Sequence, residues 1–130
     1  MSRILIIDDD EDIVEAMRVV LENHGHKVDI ASEGTSGLEK ARKGKPDLII
    51  LDVMMPGIDG FEVARELKGD SQTRDISILM LTAIKDKMGF DFQKEANDPQ
   101  WLPVDDYCNK PLDYEVLLEK IAYLLSNKKT

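Results

Sequence analysis

The sequence predicts an α/β fold built on a doubly wound, five-stranded parallel sheet. Two observations predict it. Short apolar runs alternate along the chain with segments whose apolar residues recur at helical spacing. Several of those runs are continuous and rich in β-branched residues, as expected for strands covered on both faces.

The elements follow in order. Ile4 to Ile7 forms the first strand. Ile13, Met17, Val20 and Leu21 then repeat at helical spacing, and Gly25 is well placed to end that helix. Val28 to Ala31 reads as a second strand and Ser36 to Arg42 as a second helix. Pro46 introduces Asp47 to Leu51, the clearest buried strand in the sequence. Ile58 to Leu67 reads as a third helix, Ile76 to Leu81 as a fourth strand and residues 104–108 as a short fifth. Leu112 to Leu125 forms a last amphipathic helix, with Leu117, Leu118, Ile121, Leu124 and Leu125 towards the core. Between the fourth and fifth strands, residues 84–103 are interrupted by Gly89, Pro99 and Pro103. A poor or displaced fourth helix is expected there.

With 130 residues, 42% hydrophobic and 33% charged, the chain fits one globular domain with a sizeable core. Residues 1–126 are expected to form that domain and residues 127–130 a frayed tail, with no output domain. A net charge of −9 without a basic face argues against nucleic acid as a partner. No apolar run approaches membrane-spanning length, so a cytoplasmic location without membrane contact is the expectation. The single cysteine, Cys108, excludes an internal disulfide and reads as a small core residue. His24 and His26 decorate a helix end. Glu33, Glu39, Lys40 and the charges of Lys68 to Asp75 read as solvated faces.

In a parallel α/β sheet, ligands bind beyond the carboxyl ends of the strands. The first strand ends in Asp8-Asp9, the third in Asp52, the fourth in Thr82, and the fifth leads into Lys110. Each has a plain structural reading. The acidic run could favour a helix N-terminus, Asp52 could cap a turn, Thr82 could be an ordinary strand residue, and Lys110-Pro111 a loop. Their convergence on one rim points instead to chemistry. Clustered carboxylates need a cation, and hard oxygen ligands in small number suit Mg²⁺. A carboxylate can act as a nucleophile and form an aspartyl-phosphate. A lysine and a hydroxyl can neutralise and hydrogen-bond the transferred group.

Four stretches carry a family resemblance: Ile4 to Asp10, Pro46 to Gly60, Met80 to Ala83 and Asp105 to Pro111. With them, essentially the whole chain resembles a bacterial response-regulator receiver domain of two-component signalling, in a stand-alone form. The resemblance implies a flavodoxin-like sheet of order 2-1-3-4-5 flanked by five helices. It implies that Asp52 accepts a phosphoryl group from a sensor histidine kinase or a histidine phosphotransfer protein. Mg²⁺ would be held by Asp9, Asp52 and the Met54 backbone carbonyl, with Asp8 acting largely through water. Thr82 and Lys110 would contact the phosphoryl group. Thr82 and Tyr107 would then switch the face made by the fourth helix, the fifth strand and the fifth helix, towards an unidentified protein target. The Lys110-Pro111 bond would be cis. Beyond its own phosphoryl transfer and autodephosphorylation, no enzymatic activity is implied. A monomer or weak dimer is expected.

The segment between Thr82 and Lys110 is longer than in a typical receiver, and Leu112 stands where many receivers have phenylalanine. Met54 and Ile84, at positions that tune hydrolysis in this family, are apolar and cannot orient a water, which predicts a slow-decaying phosphorylated state. Two other readings compete. A haloacid-dehalogenase-type phosphatase would need an acid two residues after its nucleophile, where this chain has Met54. An interaction module could keep the fold and work without phosphorylation.

Overall fold

The computed structural model describes residues 2–55, 57–82 and 104–126. Five parallel strands form one sheet in the order β2-β1-β3-β4-β5. They are β1 (Arg3–Ile7), β2 (Lys27–Ala31), β3 (Leu48–Asp52), β4 (Ser77–Thr82) and β5 (Asp106–Asn109). The described helices are α1 (Glu11–Asn23), α2 (Gly34–Gly44), α3 (Gly60–Gly69) and α4 (Tyr114–Ser126), the last being the fifth helix of the sequence reading. The helix expected within 84–103 and the tail 127–130 lie outside the described residues.

Side-chain alternation along the strands divides the core into two layers. Leu5, Ile7, Ile49, Leu51, Ile78 and Met80 face α2 and α3, where they meet Leu38, Ala41, Val63, Ala64 and Leu67. Their neighbours Ile4, Ile6, Leu48, Ile50, Leu79 and Leu81 face α1 and α4, meeting Val14, Met17, Leu21, Leu117, Ile121 and Leu124. Every residue of β3 and β4 is buried, which is why those segments read as unbroken apolar runs. Each fully buried Leu or Ile contributes roughly 1.5–3 kcal/mol of transfer free energy, so this double layer dominates stability. Cys108 is buried as expected, and burial pushes its thiol pKa up.

Local chemistry sets the element ends. Asp10 caps α1, its Oδ1 accepting from the Asp12 and Ile13 amides. At the other end His26 N–H donates to Leu21 O and Gly25 N–H to Glu22 O, closing a Schellman motif on Gly25 at φ +87°. Helix α3 begins two residues later than its apolar pattern suggests, because Asp59 Oδ1 accepts from Glu62 N–H at 2.9 Å and acts as the cap.

Two further expectations are corrected. The fifth strand, expected over 104–108, pairs over Asp106–Asn109; at Asp105 the side-chain carboxylate takes the Ile78 amide, while the Asp105 amide still donates to Ile78 O. The stretch Lys68 to Asp75 is not simply a solvated face. Lys68 is partly buried and bonds the Arg74 and Ile76 carbonyls, and buried Thr73 donates its hydroxyl to Leu67 O at 2.7 Å.

Candidate functional site

Parallel pairing brings the carboxyl ends of β1, β3 and β4 to one rim, with the residue after β5 beside them. Asp8 follows β1 directly, and its amide donates to Ala31 O at 3.0 Å, holding it in line with the sheet. Asp52 closes β3 opposite Leu81, and Thr82 closes β4 opposite Asn109. Lys110 N–H donates to Thr82 O at 2.8 Å, and the Lys110-Pro111 peptide is cis as expected.

The side chains converge as the sequence suggested. Asp8, Asp9 and Asp52 each offer a carboxylate oxygen, all within 4.8 Å of one another. Asp8 and Asp52 are 1% and 3% exposed, so these are buried carboxylates, whereas Asp9 is open to solvent. Lys110 Nζ lies 3.0 Å from Asp52 Oδ1 and 3.6 Å from Asp8 Oδ2. Met54 N–H donates to Asp52 Oδ1 at 3.4 Å, and Asp10 N–H to Asp8 Oδ1 at 2.9 Å.

The electrostatics follow from burial and crowding. Burial raises the Asp8 pKa to about 6, with the Asp52 charge adding to the rise and the Asp10 amide and Lys110 opposing it. Burial alone would lower the Lys110 pKa, but the hydrogen bond and charge of Asp52, helped by Asp8, outweigh it and the net shift is upward. Lys110 is therefore a fixed cation at neutral pH.

One ammonium does not balance three carboxylates. Asp8 Oδ2 is buried without a hydrogen-bond partner, and its approach to Lys110 is longer than a hydrogen bond. An orphaned buried carboxylate oxygen beside two further carboxylates fits a hard divalent cation. The donor set of a few oxygens suits Mg²⁺, which keeps several waters of its own.

Thr82 sits on the same rim, buried at the end of β4. Tyr107 lies half-buried on β5 opposite Met80, with Lys120 Nζ 5.5 Å from its ring centroid. His24 and His26 lie at the opposite end of the sheet, where the His24 ring Nδ1 is 3.0 Å from Val20 O.

Sequence reasoning included Gly60 only as the end of the Pro46-to-Gly60 stretch and gave it no role of its own. A Cβ at this position would stand 2.7 Å from Val53 Cα and closer still to the carbonyl oxygen of Asp52. The start of α3 thus rests directly on the backbone of the central carboxylate, with Gly60 N–H donating to Val53 O at 3.1 Å. Apart from its place in that stretch, a glycine just after an aspartate reads as an ordinary turn residue.

The family model described as "Response regulator receiver domain" matches residues 4–122. The chain is 43% identical to the DNA-binding dual master transcriptional regulator RpaA of Synechocystis sp., over 96% of this chain and 49% of that protein. It is 36% identical to PilH of Pseudomonas aeruginosa, over 97% of this chain and 99% of that protein. It therefore spans about half the length of RpaA and nearly all of PilH. Among solved structures, the response regulator TrrA of Thermotoga maritima, in complex with Mg²⁺-BeF, is 33% identical. It aligns with a TM-score of 0.77 over 95% of this chain and 99% of its own length.

Proposed function

The chain belongs to the response-regulator receiver family of two-component signalling, and from that membership we propose that Asp52 is its phosphoacceptor. The observation that carries the reading is the Asp8–Asp9–Asp52 cluster with Lys110 bonded to Asp52 and one buried carboxylate oxygen left orphaned.

In this reading Asp8, Asp9, Asp52 and the Met54 backbone carbonyl hold Mg²⁺. Bound there, the ion supplies positive charge to the oxygens of the incoming phosphoryl group. Asp52 attacks phosphorus with a carboxylate oxygen, forming an O–P bond as the P–N bond of a phosphohistidine breaks. The bonding pair leaves on the histidine nitrogen. Lys110 neutralises charge developing on the phosphoryl oxygens, and the Thr82 hydroxyl donates a hydrogen bond to one of them. The donor is a sensor histidine kinase or a histidine phosphotransfer protein. The phosphorylated site then shifts Thr82 and Tyr107 and alters the surface around β5 and α4 for a protein target. Two features support Mg²⁺ in particular: the hard oxygen donor set, and the Mg²⁺-BeF complex of the related TrrA. No described helix is long and apolar enough to cross a membrane.

The test is intact-mass spectrometry after incubation with Mg²⁺ and acetyl phosphate, comparing the wild type with Asp52→Asn. One added phosphoryl group in the wild type alone, lost when the metal is chelated, is the expected result. No gain in the wild type, with Mg²⁺ shown to bind, would overturn the reading in favour of an interaction module that works without phosphorylation.

A further inference from the structure

Few apolar residues hold strand β5 in register, and Asp106 is also paired with Lys120 of α4 at 3.0 Å. The strand is four residues long, lies at the edge of the sheet and pairs only with β4, and Cys108 is its one buried residue. Register is weakly specified in a strand with so little apolar patterning. Yet Lys110 immediately follows this strand. A slip of two residues would preserve the faces and carry the lysine about 6–7 Å along the sheet, out of reach of Asp52.

A polar group at the far end of β5 opposes such a slip. Lys68 Nζ, at the end of α3, donates to Arg74 O at 3.2 Å, Ile76 O at 3.0 Å and Asp105 Oδ2 at 3.2 Å. An ammonium has three protons, and all three have acceptors here. The same Asp105 oxygen accepts from Ile78 N–H at 2.7 Å, while Asp105 N–H donates to Ile78 O at 2.9 Å. Asp105 thus closes on both backbone groups of Ile78, which fixes Asp106 opposite Leu79. Lys68 in turn ties that carboxylate to the loop entering β4.

We propose that Lys68 and Asp105 form a register clamp whose role is to position Lys110 at the acceptor carboxylate. They are positioning residues acting through β5, and neither touches the phosphoryl group. The inference rests on the reading of Asp52 and Lys110 given above. The clamp lies at the amino end of β5, where it sets the strand's register.

Loosening the clamp has a signature that simple loss of stability does not share. As Lys110 leaves the site, phosphoryl transfer slows because its cation is gone. Mg²⁺ affinity rises, because a competing positive charge leaves the carboxylates. A domain that merely unfolds loses both.

The experiment compares wild type, Asp105→Ala, Asp105→Asn, Lys68→Met and Lys110→Ala. Mg²⁺ affinity is read by calorimetry, and phosphorylation by acetyl phosphate is read by intact mass. Asp105→Ala is expected to follow Lys110→Ala in both directions, with phosphorylation slowed at least about tenfold and Mg²⁺ bound at least about threefold more tightly. Asp105→Asn, whose amide oxygen can still accept from Ile78 N–H, restores most of the rate. Should Asp105→Ala fail to fold, Lys68→Met leaves the Asp105–Ile78 bonds in place and carries the same expectation with smaller shifts. The clamp is overturned if the folded variants lose rate and metal affinity together, or keep both within about twofold of wild type. If the wild type itself accepts no phosphoryl group, the phosphoacceptor reading fails, and the Mg²⁺ measurements still decide the clamp on their own.

Discussion

Lys110 Nζ and Asp52 Oδ1 stand 3.0 Å apart, joining the carboxyl ends of β5 and β3 across the end of β4. These strands are not neighbours in the sheet. The contact exists because Lys110 N–H is held to Thr82 O, so the lysine reaches over the last residue of β4 to the buried carboxylate. It partly neutralises Asp8 and Asp52 and competes with any cation they would bind.

Lys110→Ala should therefore separate the two functions of the rim. Phosphorylation by acetyl phosphate is expected to fall at least about tenfold while Mg²⁺ binds at least about threefold more tightly. Rate by intact mass and affinity by calorimetry check this. Weaker Mg²⁺ binding in a folded variant would contradict it.

Asp8 makes the site sensitive to pH. Its pKa is raised in the folded state from 3.8 to about 6, chiefly by burial. Between those values the folded chain holds a proton that the unfolded chain has released. Without divalent metal, the contribution of Asp8 to stability is therefore greatest at low pH and declines as pH rises through about 4 to 6. Asp8→Asn should remove that component, seen as the difference between urea midpoints of the two proteins across the window. Mg²⁺ competes with the same proton, so its affinity should weaken as pH falls below about 6. Calorimetry on either side of that value checks the second sign.

Gly60→Ala should destabilise the domain, because its Cβ would press on the backbone of Asp52 and Val53, which cannot yield as a side-chain tip can. Overpacking of this kind costs about 1–3 kcal/mol. Gly69, at the end of α3, has nothing within 4 Å of a built Cβ. Gly69→Ala is therefore expected to be neutral or stabilising by up to about 1 kcal/mol. Urea denaturation of the two variants side by side tests the contrast.

The phosphorylated state should decay slowly. Met54 places an apolar, solvent-facing side chain two residues beyond Asp52, and it cannot hold an attacking water. Loss of the phosphoryl group followed by intact mass should take minutes or longer. A half-life of seconds in Mg²⁺ buffer would contradict this, and Met54→Glu is expected to shorten the lifetime.

The parts of this fold that were legible in the sequence are those whose burial is complete. β1, β3 and β4 are covered on both faces, so their residues form unbroken apolar runs, and the polar residues that close them mark the rim. The two edge strands are half exposed and carry weaker patterns. The bounds of β5 shifted, and the side-chain bond that Asp105 makes just before it is one that no periodicity reveals. The Asp8, Asp9, Asp52 and Lys110 constellation was legible because each lies at a strand end, and strand ends converge in a parallel sheet. The role of Gly60 and the Lys68–Asp105 pair were not. A close backbone approach and an ion pair between residues 37 apart in sequence depend on three-dimensional packing alone.

The most direct test of the central claim is to locate the phosphoryl group. The chain would be treated with acetyl phosphate and Mg²⁺, then with borohydride, which reduces an acyl phosphate to the alcohol, and digested for peptide mass spectrometry. Conversion of residue 52, and no other carboxylate, to homoserine is the predicted result. Conversion at Asp8 or Asp9 instead, or at no residue of a folded, Mg²⁺-bound chain, would contradict the account.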